Sequence, residues 1–293
     1  MRLITFARNG ETRLGAFTDN DSAIVDLTAA GLPSSMNALI ALGPAGLGRV
    51  KAALDAAGDT VDRASVTLLA PIPRPLRNVM CVGKNYYDHA AEFHGSGFDS
   101  TGKQAVPAFP VIFTKAATSV TGPGAPITLA SDYSNSTDYE GELGVILGSG
   151  GRNIAAADAM SHVYGYTVIN DVTARTIQRQ HDQWFLGKSP DSYCPMGPAL
   201  ATADEIGEIG GLRLTTSVNG ELRQDARVRD LIFDIPTLIA TFSRTMTLEA
   251  CDVIATGTPA GVGIGYDPPV YLKAGDVVAV EIERIGRLEN PVA

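Results

Sequence analysis

A chain of 293 residues, 45% hydrophobic and 19% charged, is long enough to bury a large core, as one large domain or two unequal ones. Its net charge of −9 and pI near 4.9 argue against nucleic-acid binding, which needs a basic surface to displace counterions from phosphates. No apolar run reaches the ~18 residues of a membrane-crossing helix, so a small anionic ligand, met by a few local cations, is the partner that composition leaves open. Cys81, Cys194 and Cys251 show no CxxC spacing and read as buried free thiols. With no signal-peptide pattern at the first residues, a cytoplasmic location is expected.

Residues 2–27 read as short strands joined by turns at Asn9-Gly10, a hairpin signal, and at Asn20-Asp21. Residues 35–58 have helical composition, interrupted by Gly43-Pro44, and the stiff run 71-PIPRP-75 marks a boundary. The expected organisation is a small N-terminal α+β domain over 1–70 and a main domain over 71–293. The main domain opens with a strand over 77–83 and a helix over 85-NYYDHAAEFHG-95, with Asn85 as its cap and Gly95 closing it. Residues 95–110 are glycine-rich, polar and without periodicity, hence a surface loop or a lid over a site. Strand signals follow at 111–115, 126–130, 139–148, 164–172, 212–222 (with an Asn219-Gly220 turn), 252–257 and 276–283, with helices near 155–163 and 233–245. So many strands with so few crossover helices favour a mixed or antiparallel sheet sandwich, and neither a GxGxxG after a strand nor a P-loop is present.

Within 138-DYEGELGVIL-147, Glu140 and Glu142 sit two apart, which on a strand puts both carboxylates on one face. Such a pair repels unless something positive lies between. Asp171, in 168-VINDVTAR-175, is the next carboxylate at a strand end, and three such groups suit a hard cation such as Mg²⁺. The competing reading is edge-strand charges facing solvent, or a partner for Arg175. Gly141 and Gly144 are expected to keep bulk away from these ligands. His89 and Glu92 are helical i,i+3 neighbours, a pairing that orients an imidazole as a general base or water activator. No HExxH and no Cys/His cluster exists, so zinc is not expected. Lys188, between Gly187 and Ser189, reads either as a cation for developing enolate charge or as a loop lysine. Arg175 and Gln178 could bind a carboxylate, Arg by its bidentate fork. In 257-GTPAGVG-263, the Thr258 hydroxyl and free backbone N–H groups could clamp an oxyanion, unless the segment is a plain turn.

Five segments together, KNYYDHAAEF at 84–93, DYEGELGVILG at 138–148, GYTVINDVTARTIQ at 165–178, FLGKSPDSYCPMGP at 185–198 and TGTPAGVG at 256–263, resemble in content and order the fumarylacetoacetate hydrolase family. The resemblance covers about residues 77–283. It implies an α+β, β-rich fold: a mixed β-sandwich roll behind a small N-terminal domain, usually as a homodimer. It implies Mg²⁺, with Mn²⁺ or Ca²⁺ as substitutes, held by Glu140, Glu142 and Asp171. His89 and Glu92 would then activate water and Lys188 would stabilise an enolate. Arg175, Gln178 and Thr258 would hold the substrate, and Tyr193 would line the pocket. Thr176, where many members carry Asp, Pro190, where an aromatic is common, and a longer segment after His89 depart from the family pattern and bear on the substrate.

The resulting expectation is a metal-dependent hydrolase of aromatic catabolism that cleaves a C–C bond in an acylpyruvate-type 2-oxo acid through an enolate. The same constellation would serve a decarboxylase, hydratase, isomerase or ureidoglycolate-type lyase. A catalytically silent ligand-binding protein is the alternative of another class, and the intact His89, Glu92 and Lys188 count against it.

Overall fold

A computed structural model describes residues 1–18, 21–56, 60–99 and 104–293. Strands β1 (Arg2–Arg8) and β2 (Glu11–Phe17) form a hairpin around Asn9 and Gly10, whose φ values of +52° and +81° suit the inverse turn that matches strand twist. Strands β3 (Ala23–Asp26) and β4 (Thr60–Asp62) extend it antiparallel, and β5 (Thr67–Leu69) pairs back with β1. Of the expected second turn, Asn20 lies outside the described residues, and so does Gly58 at the end of the helical stretch. That stretch divides as expected into α1 (Met36–Ala41), capped by the Ser35 hydroxyl, and α2 (Gly43–Asp55), which takes proline in its first turn where no N–H is needed.

The rest of the chain runs β6 (Val79–Gly83), α3 (Tyr87–Gly95), β7 (Val111–Lys115), β8 (Val120–Thr121), β9 (Thr137–Asp138) and β10 (Gly141–Leu147). It continues with β11 (Val163–Asn170), β12 (Thr173–Ala174), α4 (Arg175–Gln180), α5 (Phe185–Lys188), β13 (Cys194–Thr202) and α6 (Ala203–Ile206). Last come β14 (Arg213–Val218), β15 (Glu221–Arg227), α7 (Ile235–Thr245), β16 (Val253–Ala255), β17 (Val277–Ile282) and β18 (Gly286–Pro291). The main sheet has the order β4-β3-β2-β1-β13-β11-β10-β16-β6-β7, and a second sheet has the order β15-β14-β17-β18. Most neighbours are antiparallel, but β16 and β6 are parallel, so the fold is the expected mixed, β-rich α+β sandwich.

Strands β10 and β11 are buried along their whole length because both faces are covered. One face sends Leu143, Val145 and Val168 into a core shared with Leu214, Val280 and Ile282 of the second sheet and with Leu238 and Phe242 of α7. The other sends Ile146 and Ile169 into a core shared with Leu3, Leu14 and Ile40 of the N-terminal part. The three cysteines are free and buried, as expected. No helix among the described residues is long and apolar enough to cross a membrane.

Several local expectations are corrected. Asn85 does not cap α3: Tyr86 holds the cap position without a side-chain bond. Asn85 instead donates to the carbonyls of Phe233 and Thr256 and accepts from Phe233 N–H. Gly95 is the last helical residue, with Ser96 in the cap position. Residues 126–130 are not a strand, since Ile127 makes one bridge to Val292 before a 3₁₀ turn at Leu129–Ser131. The helix expected near 155–163 is a single 3₁₀ turn, Ala159–His162. The connection there is closed by Gly148 N–H donating to His162 O at 2.7 Å. Strands β13 and β18 were not foreseen. Two prolines and a glycine hide β13, yet it is central, and a register shift against β11 near Thr167 accommodates it while Thr167 Oγ1 donates to Ala199 O.

Candidate active site

The antiparallel register of β10 and β11 pairs Gly141 with Asn170, so the residues just outside that pair, Glu140 and Asp171, lie side by side. Their backbones are tied where Asp171 N–H donates to Glu140 O at 2.8 Å, and Asn170 Oδ1 accepts from Glu140 N–H at 3.0 Å. Glu140 thus stands one residue before the strand rather than on it, while Glu142 is two residues further on the same side. The three carboxylates are buried, and one oxygen from each lies within 4.8 Å of the others. Gly141 faces the second sheet and Gly144 faces Ile169 and Thr167, so these glycines admit neighbouring side chains rather than clearing space for the ligands as expected.

Three buried cations surround this cluster. Lys188 Nζ, at the end of α5, is 2.7 Å from Glu140 Oε2 and 2.8 Å from Asp171 Oδ2, so it is no loop lysine in solvent. Arg175, the first residue of α4, reaches Glu140 Oε1 at 2.6 Å and Asp138 Oδ2 at 2.9 Å, and donates to Gln178 Oε1 at 3.3 Å. Lys115, ending β7, donates to Asp171 Oδ1 at 2.6 Å and Val172 O at 2.9 Å. Against these three stand four buried carboxylates, counting Asp138, and Glu142 alone of the four is in no ion pair among the described residues.

The charge balance follows in the titrations. Burial works to raise Glu140, but Lys188 and Arg175 overcome it and hold the carboxyl down at about 2. Burial and the charges of Asp171 and Glu140 push Glu142 well above the ordinary carboxylate range, although Gly257 N–H donates to its Oε2 at 2.8 Å. Burial opposes the charge of Lys188, yet Asp171 and Glu140 raise it above the ordinary lysine value. A cluster of hard oxygens with one uncompensated carboxylate fits a divalent cation of the Mg²⁺, Mn²⁺ or Ca²⁺ type, with Glu140, Glu142 and Asp171 as its donors.

His89 and Glu92 occupy one face of α3, with His89 Nδ1 3.1 Å from Glu92 Oε2. Glu92 Oε1 in turn accepts from Gly261 N–H at 2.9 Å. His89, Glu140, Glu142, Arg175, Gln178, Lys188 and Thr258 all line one cavity. Its apolar wall is Phe93, Trp184 and Phe113, stacked edge to face with centroids 5.6 and 5.1 Å apart. Gly83 lies beneath Trp184, where any Cβ would collide with the indole.

Two expectations fall differently. Three amides of the 257–263 segment are not free, because Gly257, Gly261 and Gly263 N–H donate to Glu142, Glu92 and Asp138. The Thr258 hydroxyl donates to Gly141 O and accepts from Gln224 Nε2. Tyr193 is fully buried with its hydroxyl 2.6 Å from Thr137 Oγ1, and it is not among the cavity-lining residues. Lys84, Lys115 and Asp138 were not anticipated. The inward period of β7, with Val111, Phe113 and Lys115 on one face, was the signal for Lys115. Asp138, two residues before Glu140, shares its parity.

Residues 78–293 match the family model described as fumarylacetoacetate (FAA) hydrolase C-terminal. The chain is 49% identical over 227 residues to the oxaloacetate tautomerase YisK of Bacillus subtilis, covering 78% of this chain and 73% of that protein. A fumarylacetoacetate hydrolase from Exiguobacterium antarcticum superposes with a TM-score of 0.86 at 42% identity, over 100% of this chain and 99% of that one. A maleylpyruvate hydrolase from Sphingobium sp. SYK-6, solved in complex with manganese (II) ion and pyruvate, superposes with a TM-score of 0.79 at 31% identity, covering 100% and 99%.

Proposed function

The chain belongs to the fumarylacetoacetate hydrolase family, an enzyme family, and from that premise we propose that it catalyses proton transfer at the carbon beside the oxo group of a small 2-oxo acid, with oxaloacetate keto–enol tautomerisation as the leading reaction. The observation that carries this reading is His89, paired with Glu92, lining the same cavity as a buried carboxylate and cation cluster, in a chain 49% identical over 227 residues to an oxaloacetate tautomerase. The ion that Glu140, Glu142 and Asp171 would hold, with Mg²⁺ first and Mn²⁺ or Ca²⁺ as substitutes, supplies Lewis-acid stabilisation of the 2-oxo group. Arg175 and Gln178 orient the adjacent carboxylate, and the Lys188 ammonium offsets negative charge as the enolate develops. Glu92 engages His89 Nδ1, which leaves Nε2 as the atom that exchanges a proton with the substrate. In the ketonising direction, protonated Nε2 gives its proton to C3 as the enol hydroxyl proton leaves to water. The aromatic wall keeps bulk water from that carbon.

A second reading, hydrolysis of the C–C bond of an acylpyruvate as expected from the sequence, is favoured by the maleylpyruvate hydrolase likeness. In that case His89 Nε2 would take a proton from the attacking water, and the same cations would meet the leaving enolate. A homodimer as the functional unit is supported by Phe109, Ile112, Phe185 and Leu186, all exposed, the second on the edge strand β7 and the last two on α5, which packs against it.

The test is the decay of enol-oxaloacetate absorbance with Mg²⁺ present, run beside pyruvate release from acylpyruvates. His89→Ala is expected to slow tautomerisation by roughly 10²–10⁴-fold. Equal rates for the two proteins would sink the acid–base assignment. Pyruvate release outpacing ketonisation in the wild type would hand the site to the second reading.

A further inference from the structure

A 2-oxo diacid carries two carboxylates into this cavity, and only the one beside the oxo group has been matched to a receptor. A second buried negative charge needs a cation of its own, because an unpaired charge is costly to remove from water. Among the described residues, three cations line the cavity: Lys84, Arg175 and Lys188. The last two are bound to Asp138, Glu140 and Asp171, which belong to the strand framework of the site.

Lys84 is different in its partner. It follows β6 directly, its side chain is 2% exposed, and its φ of +55° is a left-handed conformation that a long side chain adopts only when its surroundings impose it. Its Nζ lies 2.7 Å from Asp99 Oδ2 and donates to Gln104 O at 3.0 Å, both beyond α3 and outside any strand. The same Asp99 oxygen lies 3.1 Å from Nδ1 of His94, a half-exposed side chain, so Asp99 keeps a partner if Lys84 turns away.

We propose that Lys84 is the specificity residue that receives the distal carboxylate of a 2-oxo diacid, with Asp99 as the counter-ion that this carboxylate replaces. The inference rests on the 2-oxo acid reading above and narrows its substrate class to diacids. The exchange at Lys84 is like for like: one carboxylate leaves the ammonium as another arrives, and Asp99 is left with His94 Nδ1 beside it.

Calorimetric binding to the full-length, Mg²⁺-loaded protein tests it with two ligands of equal length, oxaloacetate and 2-oxobutyrate, which differ in a distal carboxylate against a methyl. The wild type is expected to prefer oxaloacetate by about 10- to 100-fold, the worth of one charge-assisted hydrogen bond. Lys84→Met should bring the ratio close to one and leave 2-oxobutyrate binding unchanged, while Lys84→Arg keeps most of the preference. Asp99→Asn should bind oxaloacetate as tightly as the wild type or tighter, because the competing carboxylate is gone. A wild type without preference, a Lys84→Met protein that loses both ligands equally, or weaker oxaloacetate binding in Asp99→Asn would each overturn the proposal. Because the ratio needs no turnover, a wild type that shows it without tautomerising oxaloacetate would sink only the earlier reading.

Discussion

Glu140 and Glu142 lie two residues apart yet respond to the same cluster in opposite senses. With its carboxyl held at about 2, Glu140 contributes stability that is fully present above the ordinary carboxylate value of ~4.3 and is lost as pH falls towards 2. Glu142 is pushed the other way, chiefly by burial and by Asp171. Folding without a metal therefore takes up a proton there, stability falls as pH rises above ~4.3, and the full penalty is in place once the raised value is passed. Removing that charge should relieve the metal-free protein. Glu142→Gln in EDTA at neutral pH is expected to melt above the wild type, by roughly 2–4 °C for each kcal/mol relieved. Added Mg²⁺ should raise the wild-type melting temperature and leave the variant unmoved; a metal-free variant that melts lower would refute this account of the charge. The carboxylates themselves were legible as a same-face pair plus a strand-end partner. The cations that compensate them were only partly so: Lys188 and Arg175 stood in conspicuous motifs, whereas Lys115 was marked only by the parity it shares with Val111 and Phe113 on β7.

The strands that hold these residues are legible where one periodicity dominates and obscure where it is interrupted. Strand β10 reads from its apolar run, and the Asn219-Gly220 hairpin between β14 and β15 from its turn residues. Strand β13 was hidden by prolines whose missing N–H groups ordinarily argue against a central strand, and the register shift that tolerates them leaves no mark in the sequence. The glycines of β10 record a constraint set by the opposite layer. A Cβ at Gly141 would collide with Thr216 Oγ1 and come within 2.9 Å of Val280 Cγ1, both on the second sheet. The two sheets meet closely at Gly141, between the two carboxylates, so this contact bears on the depth at which Glu140 and Glu142 sit. Gly141→Ala should cost about 1–3 kcal/mol of unfolding free energy, the usual penalty of overpacking. Among the described residues Thr216 Oγ1 is buried without a hydrogen-bond partner, so Thr216→Ala removes the obstruction and sacrifices no bond. Urea titrations of the single and double variants should show Gly141→Ala costing less in the Thr216→Ala background; equal costs would mean that the two sheets do not meet there as described.

At the scale of the molecule, the run 71-PIPRP-75 falls in a stretch without helix or strand between β5 and β6, yet the hydrogen bonding crosses it freely. Strand β1 pairs with β13 through Arg2↔Ala201 and Leu3↔Leu200, Thr5 Oγ1 donates to Pro71 O, and the terminal amine donates to Thr202 Oγ1. Leu3, Leu14 and Ile40 share one apolar cluster with Ile146, Ile169, Met196 and Leu200. Composition and a stiff linker report where the chain can be divided, but they carry no information about which edges a sheet will use once folded. Removing residues 1–70 would therefore expose an unpaired edge of β13 and strip one face from the strands that carry Glu142 and Asp171. A protein spanning 71–293 is expected to aggregate, or to lose near-ultraviolet dichroism and Mg²⁺-dependent stabilisation together, whereas the full chain should unfold in a single calorimetric transition. If the shortened protein instead stays monodisperse and keeps its metal response, the second face of β10 and β11 is dispensable. The site would then owe its geometry to the two-sheet sandwich alone, with the N-terminal strands as an attachment to it.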